Sequence, residues 1–151
     1  MNPPSFLAAS AFVALGGSIG AWLRYAAGLA IGRSIGPVAA LQFPWATLSV
    51  NLIGSLAMGL LAGWLARHGT GGEQWRLLLG VGVLGGFTTF SAFSLELALL
   101  VQRGTLLAAL AYALLSVLAG LIALFAGLAT LPAAFVQQMR RPVRERGCSH
   151  P

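Results

Sequence analysis

The sequence is poor in charged residues and lacks two residue types altogether. Only 8% of its 151 residues are charged, whereas a soluble globular domain carries about 25%. It contains neither Asp nor Lys, and its charges are nine Arg and three Glu. Too few charges remain to cover a water-facing surface. No carboxylate pair is evident, and His68 and His150 lie outside the long apolar runs, so an enzyme is the least expected class.

Cysteine is also nearly absent. Cys148 is the only one, which excludes an internal disulfide and a cysteine metal cluster, and we interpret it as an incidental thiol. The net charge of +6 does not indicate nucleic acid, because the arginines are scattered between apolar runs and concentrated near the C-terminus. That distribution is typical of membrane flanks, so we expect no nucleic-acid partner.

Long apolar runs are what the sequence does contain. About 20 apolar residues in a helix cross a bilayer core of about 30 Å, and four segments meet that length. The predicted spans are residues 6–31, 43–66, 75–101 and 105–135, separated by polar or glycine-rich breaks at 32–42, 67–72 and 102–104. The first run lacks a basic leader and is followed by three more spans, so we expect it to be retained. We therefore predict one transmembrane domain, 1–136, and a basic, disordered tail, 137–151.

The arginines leave the orientation open. Four spans place both termini on one side, where Arg67, Arg76 and four tail arginines would lie, against Arg33 and Arg103 on the other side. Counted whole, the bias favours cytoplasmic termini, whereas the loops alone tie at two against two. A tie is what insertion in both orientations would show. The sequence predicts a multi-pass inner-membrane protein without fixing its topology.

Small residues recur at helical spacing and predict close helix packing. The stripe in the first span contains Gly16, Gly20, Gly28 and Gly32, with Arg24 in the same row, and Gly59 and Gly63 repeat the pattern in the second span. Four such helices enclose little space, so a pore would need more than one copy of the chain.

Polar side chains inside the spans are the first functional candidates, since they are costly in lipid. Thr47, Asn51 and Ser55 share one face of the second span, and Tyr112 and Ser116 share a face of the fourth. Such a track of hydroxyl and amide groups would suit a small anion, although for the hydroxyls alone helix–helix hydrogen bonding is the more common role.

The sequence allows two interpretations each for the charged side chains of Arg24 and Glu96. Arg24 lies near the end of its span, where it would either snorkel to the interface or form a basic vestibule or subunit contact. Glu96 lies in the third span, where it would couple protons or pair with a neighbouring hydroxyl or Arg.

The third span contains the most informative stretch, GVGVLGGFTTFSAFS at residues 80–94. Four glycines lower its helix propensity, and Thr88 and Thr89 compete for backbone hydrogen bonds, so we predict a broken helix near mid-membrane. Irregular backbone at that depth lies against protein or lines a cavity, and its freed carbonyls suit an alkali cation. Phe90 and Phe93 follow on one side, and their positive ring edges suit an anion, although for an isolated pair plain packing is the commoner role.

The segment GGFTTFSAF resembles the third-helix signature of the CrcB/Fluc family of fluoride-exporting channels. GGSIGAWLRY at 16–25 and FPWATLSVNLIGS at 43–55 are similar to the family's first- and second-helix patterns. Tyr112 and Ser116 stand where the family has a Tyr and a Ser in its fourth helix. The sequence departs from the pattern at Gly120, where some members have a further Ser, and in its long basic tail.

The resemblance implies an all-α, antiparallel, dual-topology homodimer with two pores that export fluoride passively. It also implies a structural Na⁺ at the two-fold axis, held by the carbonyls of Gly85 and Thr88. The pore residues it implies are Asn51, Phe90, Phe93, Tyr112, Ser116 and Thr47. Arg24 would be the family's first-helix Arg, at a vestibule or dimer contact. The implied partners are fluoride, a second copy and membrane lipid.

Two other classes compete with this interpretation. A small proton-coupled multidrug exporter is also a four-span antiparallel dimer, but it needs a Glu in its first span, where this sequence has none. A membrane scaffold would use the glycine stripes for assembly and would leave the polar clusters unexplained.

Overall fold

The computed structural model describes residues 4–68 and 72–130. The predicted tail and the end of the fourth predicted span therefore lie outside the described residues. Within those two ranges the chain is helical, and four helical stretches are long and apolar enough to cross a membrane. They are Phe6–Ile35, Trp45–Ala66, Glu73–Gln102 and Leu106–Leu128. The prediction of four apolar membrane-spanning stretches is confirmed.

The first two helices in chain order, α1 (Phe6–Ile35) and α2 (Pro37–Gln42), meet at a glycine turn. The side chain of Ser5 caps α1 by accepting from the N–H of Ala8 at 3.3 Å. Gly36 ends α1 with a φ of +80°, a value that favours glycine, and Pro37 then begins α2. The predicted break between the first two spans, 32–42, contains the last residues of α1 and the short helix α2, because one turn-forming glycine followed by a proline at the first helical position lets the helix restart.

The third spanning stretch is built from four helical pieces. The piece α4 (Glu73–Trp75) leads into a π-helical segment, π1 (Arg76–Leu84), and then into α5 (Gly85–Phe87). The helix α6 (Phe90–Gln102) completes it. The wider π turns fall where glycines lower the preference for a regular α-helix.

The remaining long helices are α3 (Trp45–His68) and α7 (Leu106–Leu128). A turn containing Gly104, with a φ of +75°, joins α6 to α7. The buried core is small and lies among α3, α6 and α7, around Leu48, Phe93, Leu100 and Tyr112. Many large apolar side chains on the other faces are exposed in the single chain, as expected where lipid or further protein covers a helix.

Glycines set the closest helix contacts. A Cβ added at Gly16 or Gly20 would overlap backbone atoms of π1, and one added at Gly82 would lie 2.8 Å from the Cα of Gly16. By contrast, Gly28 and Gly32 have nothing within 4 Å of an added Cβ. The predicted stripe on α1 therefore packs within the chain along its first half only.

The second span packs in the same way. A Cβ on Gly59 of α3 would overlap the carbonyl of Leu124 and lie 3.0 Å from the Cα of Gly127 on α7. Close backbone approach thus fixes α3 against α7, and this pairing positions the polar faces of both helices.

Candidate functional site

The backbone leaves helical geometry at two residues between α5 and α6. Thr88 has φ −78° and ψ 158°, and Thr89 has φ −151° and ψ 120°, which are extended conformations. The amide of Thr88 still donates to the carbonyl of Leu84 at 3.0 Å. The hydroxyl of Thr89 caps α6 by accepting from the N–H of Ala92 at 3.2 Å. Two consecutive threonines thus end one helix and begin the next.

Asn51 of α3 pairs with both backbone groups of Thr89. Its Oδ1 accepts from the Thr89 N–H at 2.9 Å, and its Nδ2 donates to the Thr89 carbonyl at 3.1 Å. In a continuous helix the Thr89 N–H would donate to the carbonyl of Gly85 instead. Asn51 therefore takes the donor that Gly85 would otherwise have, and one N–H of its own amide remains for another acceptor.

Arg24 of α1 reaches the same extended segment. Its guanidinium donates to the carbonyl of Thr88 at 3.3 Å. The γ-methyl of Thr88 lies where a Cβ on Gly54 of α3 would be. A glycine on α3 thus admits the threonine side chain, and an arginine from α1 binds its carbonyl.

A carboxylate connects the polar groups of α3 and α7. Glu96 of α6 accepts from the Thr47 hydroxyl at 2.7 Å and from the Tyr112 hydroxyl at 2.7 Å, one on each carboxylate oxygen. This geometry agrees with the sequence interpretation in which Glu96 pairs with neighbouring hydroxyls. Its link to Tyr112 was missed, because spacing along one helix does not show which other helix faces it.

The two phenylalanines differ sharply in their surroundings. Phe93 is 9% exposed and contacts the ring of Tyr112, with the centroids 5.1 Å apart, whereas Phe90 is 80% exposed. The two Phe rings also contact each other, with centroids 5.6 Å apart. Phe93 is thus part of the core, while most of the Phe90 ring lies open to whatever covers this face.

One groove collects the largest share of the predicted site residues. We call it the Asn51 groove, and its lining includes Asn51, Ser55, Thr88, Thr89, Phe90, Phe93 and Ser116. The Oγ of Ser116 is buried and has no hydrogen-bond partner among the described residues. The groove therefore combines an amide, hydroxyls and aromatic rings beside the extended backbone.

The other predicted residues lie next to this groove. Arg24 and Thr47 line a neighbouring groove that also contacts Thr89. Tyr112 is fully buried behind Phe93, and Gly85 lies three residues before Thr88 on α5. The structure thus brings the predicted residues to one region, where α1, α3, α6 and α7 surround the extended segment.

Comparison with known proteins shows a match to one family model and to several similar proteins. The family model described as CrcB-like protein, Camphor Resistance (CrcB), matches residues 11–128. A protein of Novosphingobium aromaticivorans named fluoride-specific ion channel FluC is 62% identical over 125 residues, which cover 83% of this chain and 97% of the relative.

Two further relatives carry the same name. Those from Hyphomonas neptunium and Sphingopyxis alaskensis are 57% identical over 117 residues and 54% identical over 116 residues, respectively. Each alignment covers 77% of this chain and 89% of the relative. The resemblance indicated by the sequence motifs is confirmed.

Proposed function

The chain belongs to the CrcB-like protein family, and from that membership we propose that it works as a fluoride-specific ion channel. The observation that carries the proposal is the Asn51 groove, in which donor groups and aromatic rings meet at a non-helical segment of a membrane span. The relatives are named ion channels, in agreement with the expectation that the chain is not an enzyme.

The chemistry of the groove suits a small anion. Asn51 keeps one N–H beyond its bonds to Thr89, and Ser116 has a hydroxyl without a partner among the described residues. Fluoride is small and strongly hydrated, so its dehydration needs donors close to the ion, while conduction needs sites that release it again. Dispersed neutral donors and the positive edges of Phe90 and Phe93 meet both demands.

The flow is proposed to be passive. The sequence has no nucleotide-binding motif, and Glu96 contacts two hydroxyls rather than a second carboxylate or a His. Fluoride that enters cells as the neutral acid would leave as the anion, driven outward by the inside-negative potential across the inner membrane. The proton-coupled multidrug exporter is not favoured, because the first span has no Glu and the relatives are named as channels.

A structural sodium ion is part of the proposal, and the carbonyls of Gly85 and Thr88 would hold it. The hydrogen bonding supports this role. In a continuous helix the Thr89 N–H would donate to the carbonyl of Gly85, but here it donates to Asn51 Oδ1, which leaves the Gly85 carbonyl without that donor. Arg24 uses the Thr88 carbonyl at 3.3 Å, and a carbonyl oxygen has a second lone pair for another partner.

Carbonyl oxygens are the hard ligands that sodium prefers. No group of three or more His, Cys, Asp or Glu comes together within residues 4–68 and 72–130, so side chains of those types are not the proposed ligands. When bound, the ion would add fixed positive charge beside the anion path. Two carbonyls from one chain are few for such an ion, and two more would come from a second copy.

That second copy is proposed to be antiparallel, which forms a dual-topology homodimer. The tie between the loop arginines permits insertion in both orientations. The exposed ring of Phe90 and the unpartnered glycines of α1 offer surfaces for a partner chain. Arg24, which donates to the Thr88 carbonyl of the extended segment, would lie at a vestibule or at this contact.

Anion efflux from proteoliposomes tests the proposed function. With a potassium ionophore to balance charge, the purified protein should release fluoride rapidly and chloride far more slowly. Equal rates for the two anions would reject fluoride specificity, and the absence of any flux would favour the scaffold interpretation.

A further inference from the structure

Ser55 faces a gap in the side chains of α7. It lies one turn after Asn51 on α3 and shares its face, and it lines the Asn51 groove. Ser55 lies beside Gly120 of α7, where an added Cβ would have the Ser55 Oγ as its only neighbour within 4 Å, at 3.6 Å. Because Gly120 has no side chain, the hydroxyl group next to this position of α7 belongs to Ser55 of α3.

Ser116 lies one turn before Gly120 on the same face of α7. Its Oγ is buried without a partner among the described residues, and no hydrogen bond within those residues involves the Ser55 hydroxyl. A buried hydroxyl without a partner calls for an explanation, such as a water or an ion at the site. Ser116 is such a hydroxyl, and the half-buried Ser55 adds a second hydroxyl without a partner among the described residues to the groove that Asn51 also lines.

We propose that Ser55 is a further hydrogen-bond donor of the anion path. With Ser116 it forms a two-hydroxyl site about 6 Å along α3 from Asn51, so that an anion leaving the amide meets hydroxyls from both helices. The inference rests on the proposed function, since the anion it concerns is the conducted fluoride. It assigns Ser55 to the anion path and not only to helix packing.

The first test compares two alanine variants of α3 in the fluoride efflux assay. Ser55→Ala should lower the fluoride rate at least fivefold, because it removes one of the two hydroxyls. Ser49→Ala makes the same chemical change on the same helix but outside the groove lining, and it should keep the wild-type rate. Equal rates for Ser55→Ala and wild type would overturn the inference.

A second test returns the hydroxyl from the opposite helix. The separation of 3.6 Å between an added Cβ at Gly120 and the Ser55 Oγ is ordinary van der Waals contact, so the position admits a side-chain Cβ, and Ser55→Ala removes the one atom it would contact. Ser55→Ala combined with Gly120→Ser should recover to within twofold of the wild-type rate, whereas Ser55→Ala with Gly120→Ala should not. Equal recovery in both double variants would show that volume matters and not the hydroxyl, which would also overturn the inference.

An isosteric pair covers the case in which Ser55→Ala does not fold. Ser55→Thr keeps the hydroxyl and should conduct near the wild-type rate, while Ser55→Val has the same shape without it and should be slow. Indistinguishable fluoride rates for this pair would reject the role of Ser55. Failure of the inference is distinct from failure of the proposed function, because the latter would abolish fluoride-selective flux in the wild type as well.

Discussion

Two regions of the molecule are held together in different ways. Where α1 meets π1, and where α3 meets α7, glycines bring backbone atoms into contact, with no room for a single added carbon. At the extended segment, Arg24 and Asn51 instead bind the backbone of Thr88 and Thr89 through side-chain hydrogen bonds. The first region depends on close steric packing, and the second depends on hydrogen-bonding groups.

The two regions therefore tolerate different kinds of substitution. An added methyl group harms the glycine contacts whatever its polarity, and we expect that harm in the stability of the protein. A change of hydrogen-bonding capacity at the extended segment leaves the glycine contacts intact, and we expect its harm in conduction. Variants that separate stability from flux therefore test the comparison.

The largest effect is expected from Gly20→Ala. The added Cβ would overlap the carbonyl of Val83, and overpacking of this kind costs about 1–3 kcal/mol. Thermal unfolding in detergent should show a clearly lowered midpoint, with loss of a single peak in size-exclusion chromatography. Gly17→Ala is the matched control, since nothing lies within 4 Å of its Cβ. Similar midpoints for the two variants would contradict the packing account.

The next effect is expected from Asn51→Ala, which removes both hydrogen bonds to Thr89 and the remaining N–H of an amide that lines the groove. Fluoride efflux should fall at least tenfold while the protein stays monodisperse in chromatography. The reason is that the amide serves both the shape of the segment and the anion, whereas the glycine contacts do not involve it. Wild-type flux in this variant would remove Asn51 from the mechanism.

Substitutions at Phe90 and Phe93, three residues apart, should separate an effect on flux from an effect on stability. Phe90→Ile should lower fluoride flux several-fold with a smaller change in the unfolding midpoint than Phe93→Ile, because Phe90 lies outside the buried core around Tyr112. Phe93→Ile should lower both, because it also removes packing from the core around Tyr112. The check is flux and thermal unfolding on the same preparations, and matching stability losses would show that exposure does not separate the two residues.

The smallest effect is expected from Tyr112→Phe, which deletes one hydroxyl and keeps the ring. Glu96 then loses its 2.7 Å bond from Tyr112 but keeps the one from Thr47. A single hydrogen bond contributes about 0.5–1.5 kcal/mol, and the remaining partner of Glu96 limits the loss. We expect a modest reduction of flux, about two- to threefold, measured in the same efflux assay. A loss as large as that of Asn51→Ala would mean that this carboxylate cluster is no less important than the amide.

Much of this arrangement could be predicted from the sequence. Apolar length predicted the four spanning stretches. Of the pore residues that the motif resemblance implies, four line the Asn51 groove, namely Asn51, Phe90, Phe93 and Ser116. Spacing along one helix could not show that Asn51 pairs with Thr89 or that Glu96 joins Thr47 to Tyr112, since those contacts depend on which helices face each other. The restart of the helix at Pro37 was missed because glycine and proline there look like a loop, although they end one helix and begin another.

Passive, fluoride-selective conduction is the property on which the proposed function depends most, and the reversal potential of the current tests it most directly. In a planar bilayer with a fluoride gradient, the current should reverse at the Nernst potential for fluoride and should not move when a pH gradient is added. A reversal potential that follows the proton gradient would contradict the channel mechanism, and one that follows chloride would contradict its selectivity.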